Sequence, residues 1–211
     1  MPTDAVFWVL VLMVSVILHE VAHGYMANYL GDPTAKLQGR LTLNPISHID
    51  PLGTIILPFF LMITGSPILI GYAKPVPYNP YNIRHKNGEA LVAFAGPGTN
   101  ILLALVFGLF IRFFGSSIDV SLLIPLALIT KVNVFLAIFN LIPIPPLDGS
   151  KVLPALLPST LRRGFDSMRH NFERMGVFSG TIIILIIFYF LSPAFSALIS
   201  WFFALLTGLS L

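Results

Sequence analysis

The chain has 211 residues, of which 56% are hydrophobic and only 10% are charged, and its formal net charge is +3. Soluble domains average about 45–50% apolar and about 25% charged residues, so this composition excludes an ordinary soluble domain and predicts a membrane protein. The few basic residues are spread over several loops, which gives no support to a nucleic-acid partner.

Five apolar stretches define the predicted elements, near residues 5–18, 52–73, 90–111, 120–142 and 177–206. A helix needs about 20 apolar residues to cross the hydrocarbon core of a bilayer. We therefore predict an all-α polytopic membrane protein with about four to six transmembrane helices. A single membrane-embedded domain is expected over residues 1–211, with a core at about 5–150 and a basic loop and membrane helix at 151–211. The first stretch has no basic start and no cleavage site, so we interpret it as part of the working protein.

The first apolar stretch runs into His19-Glu20-Val21-Ala22-His23, an H-E-x-x-H pattern. Positions i and i+4 share one helical face, so both imidazoles can bind a single ion. Glu20 lies on the adjacent flank, where its carboxylate can reach a water on the metal as a general base. Ionisable groups within a membrane cost about 2.5–3.5 kcal/mol each, which argues against chance placement. Because the chain has no cysteine, these ligands favour Zn²⁺, although Fe²⁺ or Co²⁺ could use the same set.

Three features are predicted between this motif and the next long apolar stretch. Residues 34–43 alternate partly and contain Gly39, which predicts a short β-hairpin whose edge could pair with an extended substrate. His48 and Asp50 could hold a second metal or could belong to a tight turn. Residues 52–73 are rich in proline and glycine, which favours a re-entrant segment over a straight spanning helix.

The charge distribution supports the re-entrant segment. With it, ten basic residues share one side of the membrane and Arg112 lies on the other, whereas a full span would divide them eight against three. The positive-inside rule prefers the first arrangement, with the N-terminus outside the cytoplasm and the metal site toward the cytoplasmic side. The ten residues are Lys36, Arg40, Lys74, Arg84, Lys86, Lys151, Arg162, Arg163, Arg169 and Arg174.

Two later polar positions fall in or directly after apolar stretches. Asn100 follows Gly96-Pro97-Gly98-Thr99 and could either donate to a substrate backbone or join two helices. Asp148 follows an apolar segment that three prolines interrupt, and non-helical backbone at membrane depth is tolerated only where it is buried or lines a cavity. A catalytic zinc usually has three protein ligands, so Asp148 is the preferred third ligand. The alternative is a solvated Asp-Gly turn.

Three separated motifs together resemble the site-2 protease family of intramembrane zinc metalloproteases, in a compact form without a PDZ insertion. They are His19–His23, Ala95–Asn100, and Asn140–Pro143 leading to Leu147–Gly149. The resemblance implies an enzyme embedded in the lipid bilayer of the cell membrane. Its substrates would be transmembrane or membrane-associated polypeptides, recognised by membrane-embedded or loop surfaces.

The same resemblance implies a role for each site residue. One zinc ion would be held by His19, His23 and Asp148, and Glu20 would be the catalytic base. Asn140 would help to bind substrate or to stabilise the oxyanion.

Two rival functions are a metal transporter and an inactive relative that binds transmembrane segments. Glu20 argues against both, because neither function needs a base.

Overall fold

The computed structural model describes residues 2–56, 63, 73–174 and 176–209, and helices dominate this part of the chain. No strand occurs among these residues. Four helices in this part are long and apolar enough to cross a membrane, at Val6–Tyr29, Gly88–Ser117, Val120–Asn140 and Tyr189–Thr207. The prediction of an all-α polytopic membrane protein is therefore confirmed. The chain divides into two compact units, Met1–Gly88 and Glu89–Leu211, and the single domain over 1–211 stays a prediction.

The first unit is built on one long helix and the turns that follow it. Helix α1 spans Pro2–Tyr29 and packs against the short helix α2, Thr34–Leu37. Short helical turns follow at Pro45–His48, Pro51–Ile56 and Pro80–Asn82. The Pro45–His48 turn also packs on α1. These contacts collect the loops of the unit around the C-terminal part of α1.

The predicted β-hairpin over residues 34–43 is wrong, because this stretch begins as α2. The Asp32 carboxylate accepts a hydrogen bond from the Thr34 amide at the start of the helix. Gly39, with φ of 64°, ends it, and the Arg40 amide donates back to the Ala35 carbonyl at 2.9 Å. A glycine of this kind is a typical helix C-cap. The partial alternation of residues 34–43 therefore does not give a strand edge for a substrate.

Most of the predicted re-entrant segment, residues 52–73, lies outside the described residues, but both of its flanks are described. The Lys74 amide donates to the His48 carbonyl at 2.9 Å, so the chain just before the segment contacts the chain just after it. Farther out, the Arg84 amide donates to the Leu30 carbonyl at 3.1 Å. The two flanks are thus hydrogen-bonded to each other within the first unit.

Five α-helices are described in the second unit, and a short 3-10 turn at Gly115–Ser117 follows the first of them. The α-helices are α3 at Gly88–Phe114, α4 at Val120–Asn140, α5 at Gly149–Leu156, α6 at Ser159–Arg174 and α7 at Gly176–Thr207. Helix α7 packs against α4 and α6, and α5 packs against α6. Gly108 on α3 allows close packing, since a Cβ there would lie 2.8 Å from the Leu206 Cβ and 3.2 Å from the Thr130 Cγ2. Arg169 of α6 pairs with Glu89 at the start of α3, with 3.4 Å between Nη1 and Oε1.

Candidate metal centre

Helix α1 brings His19, Glu20 and His23 together. The Nε2 atoms of the two histidines are 3.0 Å apart, and the ring planes are nearly perpendicular at 88°. One nitrogen from each ring and one Glu20 carboxylate oxygen all lie within 4.8 Å of one another. The i, i+4 spacing therefore brings these potential ligand atoms close together.

This geometry fits a zinc ion. Two histidine nitrogens on one tetrahedral zinc would lie about 3.3 Å apart, given Zn–N bonds of about 2.0–2.1 Å. The observed 3.0 Å separation is close to that value, so small ring rotations suffice to admit the ion. His19 is only 6% exposed, so bulk water competes little with the metal for its ring nitrogens. His19 and His23 would hold the metal, and the hard and borderline donors present suit Zn²⁺.

The Glu20 carboxylate is oriented by a residue far away in the sequence. Its Oε2 accepts a hydrogen bond from the Val76 backbone amide at 2.9 Å. Gly24, one residue after the motif, makes this approach possible: a Cβ at Gly24 would lie 2.7 Å from the Val76 Cγ1 and 2.5 Å from the Leu41 Cδ2. The segment around Val76 therefore packs directly against the motif-bearing part of α1.

Asp32, which sequence reasoning missed, fixes the chain that follows Val76. Its buried carboxylate accepts from the Thr34 hydroxyl at 2.5 Å, the Asn79 amide at 2.6 Å and the Asn82 side chain at 2.8 Å. Burial raises the pKa of Asp32, but these hydrogen bonds together outweigh burial and hold the pKa below its ordinary value. The only sequence signal was an Asp-Pro-Thr turn after the first helix, which is too common to indicate such a role.

Asp148 lies in the second unit, directly before α5. It occupies the N-cap position, yet its side chain makes no capping hydrogen bond to the helix. Gly149 packs onto the end of the α4 chain, where a Cβ would be 2.2 Å from the Leu141 carbonyl oxygen and 2.6 Å from that of Ile142. The Asp-Gly pair is thus held against the break after α4. Asp148 is half-buried.

The two candidate asparagines occupy different settings. Asn140 ends α4, is half-buried, and donates from Nδ2 to the Leu136 carbonyl of its own helix at 3.0 Å. Asn100 is fully buried, and its Nδ2 donates to the Oδ1 of Asn133 at 2.8 Å, which joins α3 to α4. This bond supports the helix-joining interpretation of Asn100. Asn133 was not singled out from the sequence.

The His48 and Asp50 region forms a turn, as one of the two interpretations expected. The His48 Nε2 lies 2.8 Å from the Thr42 carbonyl oxygen, and the Asp50 carboxylate accepts from the Gly53 amide at 2.8 Å. Within the described ranges, His19, Glu20 and His23 form the one group of three or more potential ligands. The second-metal interpretation therefore gains no support there.

Comparison with known proteins gives a consistent result. The model of Peptidase family M50 matches residues 111–187. The chain is 37% identical to YwhC of Bacillus subtilis (strain 168), a candidate zinc metalloprotease, over 74% of this chain and 71% of that protein. It is 29% identical to Rip2 of Mycolicibacterium smegmatis, also a candidate zinc metalloprotease, over 90% of this chain and 70% of that protein. The zinc metalloprotease MJ0392 of Methanocaldococcus jannaschii is 29% identical over 73% of this chain and 36% of its own length. No solved structure was found to match.

Proposed function

Since the chain belongs to Peptidase family M50, the site-2 proteases, with zinc as the cofactor that its relatives indicate, we propose that it hydrolyses transmembrane or membrane-associated polypeptides. The observation that carries this proposal is the convergence of His19, Glu20 and His23 on a helix that can span a membrane. Placing three ionisable groups there is costly, and metal binding with proton transfer accounts for them.

Asp148 is the proposed third protein ligand. Two histidines leave a catalytic zinc one ligand short of the usual three. Asp148 is half-buried and lies directly before α5, after the proline-rich break that follows α4. The packing of Gly149 on the chain after α4 gives this carboxylate a defined position.

In the proposed reaction, each side chain has a separate role. A bound zinc ion would supply Lewis-acid chemistry, which polarises the scissile carbonyl and makes water nucleophilic at neutral pH. Glu20 takes a proton from the attacking water and then delivers it to the leaving amine nitrogen. The Val76 amide donates to one Glu20 oxygen, so the other oxygen is the one assigned to both transfers. Asn140 donates from its amide to the developing oxyanion or to the substrate backbone.

The proposed setting is the cell membrane, with the active site toward the cytoplasm. The positive-inside rule favours this orientation when residues before and after the 52–73 segment share one side. Two backbone hydrogen bonds between those flanks support that arrangement, one from Lys74 to His48 and the other from Arg84 to Leu30. The first helix would then enter from the extracytoplasmic face and carry Glu20 toward the cytoplasmic face.

Purified protein in liposomes tests the function directly. It is incubated with a panel of single-span substrates, with and without a zinc chelator, and the products are identified by mass spectrometry. We expect cleavage within or beside the transmembrane segment, loss of cleavage with chelator, and recovery on adding Zn²⁺. Cleavage that persists without metal, or a zinc-loaded protein that cuts none of the panel, would count against the proposal.

A further inference from the structure

Arg40 is a buried cation with an unusual set of partners. Its guanidinium belongs to a residue only 9% exposed, and Nη2 donates to the Lys74 carbonyl at 2.9 Å and to the Pro75 carbonyl at 3.3 Å. In the part of the chain that the structure describes, the buried Nε has no hydrogen-bond partner. Burying a cation whose hydrogen bonds are incomplete costs folding free energy. Such exceptions are found mainly at functional sites.

The two carbonyls that Arg40 binds directly precede the amide that binds Glu20. Pro75 and Pro77 flank Val76, so the backbone has little freedom on either side, and neither proline has an N–H group. The Val76 amide therefore stands between two residues without donors, and it donates to the Glu20 Oε2 at 2.9 Å. Any shift of the Lys74–Pro75 carbonyls is passed to that amide through a stiff backbone.

Two other hydrogen bonds hold the ends of this segment. The Lys74 amide donates to the His48 carbonyl, and the Asn79 amide donates to the Asp32 carboxylate. Between these two anchors, the Arg40 guanidinium binds the carbonyls next to Val76. The Arg40 guanidinium is thus placed to influence the direction in which the Val76 N–H points.

We propose that Arg40 is a positioning residue for Glu20. By holding the Lys74 and Pro75 carbonyls, it aims the Val76 N–H at the Glu20 Oε2 and so sets the carboxylate beside His19 and His23. One Glu20 oxygen is then occupied by the amide, and the other serves proton transfer. The catalytic meaning of this inference rests on the proposed function, whereas the positioning itself does not.

Hydrogen exchange tests the positioning without any substrate. A peptide that covers residues 74–79 reports few amides, because two of its residues are prolines. In Arg40→Met, exchange at the Val76 amide should rise about tenfold, the factor expected for one lost hydrogen bond. Glu20→Ala removes the acceptor and gives the reference for a broken bond. Arg84→Met removes an exposed cation from the same unit and should leave Val76 unchanged.

The Asn79 amide in the same peptide separates local positioning from unfolding. It is held by Asp32 and should keep its protection in Arg40→Met. Unchanged exchange at Val76 would overturn the proposal, and so would an equal rise at Val76 and Asn79, which would indicate general loosening of the segment.

Kinetics test the catalytic consequence. Arg40→Met should lower kcat by roughly ten- to a hundredfold, as for other residues that orient catalytic groups, while KM and bound zinc stay within about twofold of wild type. Arg40→Lys retains a cationic donor and should recover part of the loss. A rise in KM at unchanged kcat would make Arg40 a substrate contact and overturn the positioning role. If wild type cleaves nothing, the proposed function fails, and the exchange measurement still decides the positioning.

Discussion

At the residue scale, the proposed mechanism assigns metal binding and proton transfer to different side chains. His19 and His23 supply two nitrogens at 3.0 Å from each other, while Glu20 is held from the side by a backbone amide. A carboxylate fixed in this way is suited to act on a water near the metal rather than as another metal ligand. Substitutions can therefore remove one task and leave the other.

Glu20→Gln should abolish proteolysis while bound zinc remains close to one ion per chain. The amide retains the shape of the side chain and an acceptor for the Val76 N–H, but it cannot take a proton. Cleavage assays and metal analysis on the same preparation check this. Turnover near that of wild type would exclude Glu20 as the base.

His19→Ala, His23→Ala and Asp148→Ala should each lose zinc and activity together, because too few protein ligands remain. Zinc content after dialysis against a graded chelator measures the loss. Asp166→Ala is a matched control and should keep its zinc, since the partly exposed Asp166 carboxylate pairs with Arg162 of the same helix at 3.8 Å. An Asp148→Ala variant with the zinc affinity of wild type would remove Asp148 from the ligand set.

At the element scale, two junctions place the candidate residues. One is the break after α4, where Gly149 packs on the Leu141 and Ile142 carbonyls. The other is the loop after α1, where Asp32 binds three later residues. The first junction depends on Gly149 and the second on Asp32, so replacing either residue should lower the stability of the protein.

Gly149→Ala should lower the free energy of unfolding by about 1–3 kcal/mol, the usual cost of overpacking. The new Cβ would meet backbone atoms at 2.2–2.6 Å, which no side-chain rotation relieves. Thermal unfolding in detergent measures the change. Gly164→Ala in α6 is the control, since nothing lies within 4 Å of its Cβ position and alanine favours a helix. Equal stability of the two variants would contradict the packing argument.

Asp32→Asn should destabilise the protein at neutral pH and much less in acid. The pKa of folded Asp32 lies below its ordinary value of about 3.9, so its stabilising effect is complete above that value and is lost as the pH falls through the folded pKa. The difference in melting temperature between wild type and variant should therefore shrink below about pH 4. A difference that is independent of pH would show that the charge of Asp32 does not matter.

At the scale of the whole molecule, the flanks of residues 52–73 bear on the topology of the chain in the membrane. Residues 57–62 and 64–72 lie outside the described part of the chain. On either side of them, the Lys74 amide donates a hydrogen bond to the His48 carbonyl. Residues joined by a backbone hydrogen bond cannot lie on opposite faces of a bilayer core about 30 Å thick. This contact supports one shared face for the two loops on either side of the segment.

Single cysteines should show that shared face, and the native chain has no cysteine to interfere. Cysteines introduced at Lys36 and Lys86 should react with an impermeant thiol reagent only from the cytoplasmic side. A cysteine at Ser116, in the loop between α3 and α4, should react only from the other side. Labelling of Lys36 and Lys86 positions from opposite faces would mean that residues 52–73 cross the membrane.

The sequence by itself determined the features that depend on near neighbours. Long apolar stretches predicted the spanning helices, because the length needed to cross a bilayer is fixed. The spacing of His19 and His23 predicted their convergence, because residues four apart share a helical face. Partial alternation misled at residues 34–43, because Asp32 and Gly39 bound a short helix there.

Only the tertiary structure decided which distant groups meet. The Glu20–Val76 bond joins positions 56 residues apart, and its donor is a backbone amide, a group that nearly every residue carries and that no sequence pattern marks. From the sequence, Arg40 was interpreted as a topology signal, but in the structure it is buried and donates hydrogen bonds to two backbone carbonyls. The hydrogen bond between Asn100 and Asn133, which supports the helix-joining interpretation of Asn100, became apparent only in the folded structure. Local spacing encodes the shape of one element, whereas the partners of a polar group depend on how the chain folds back on itself.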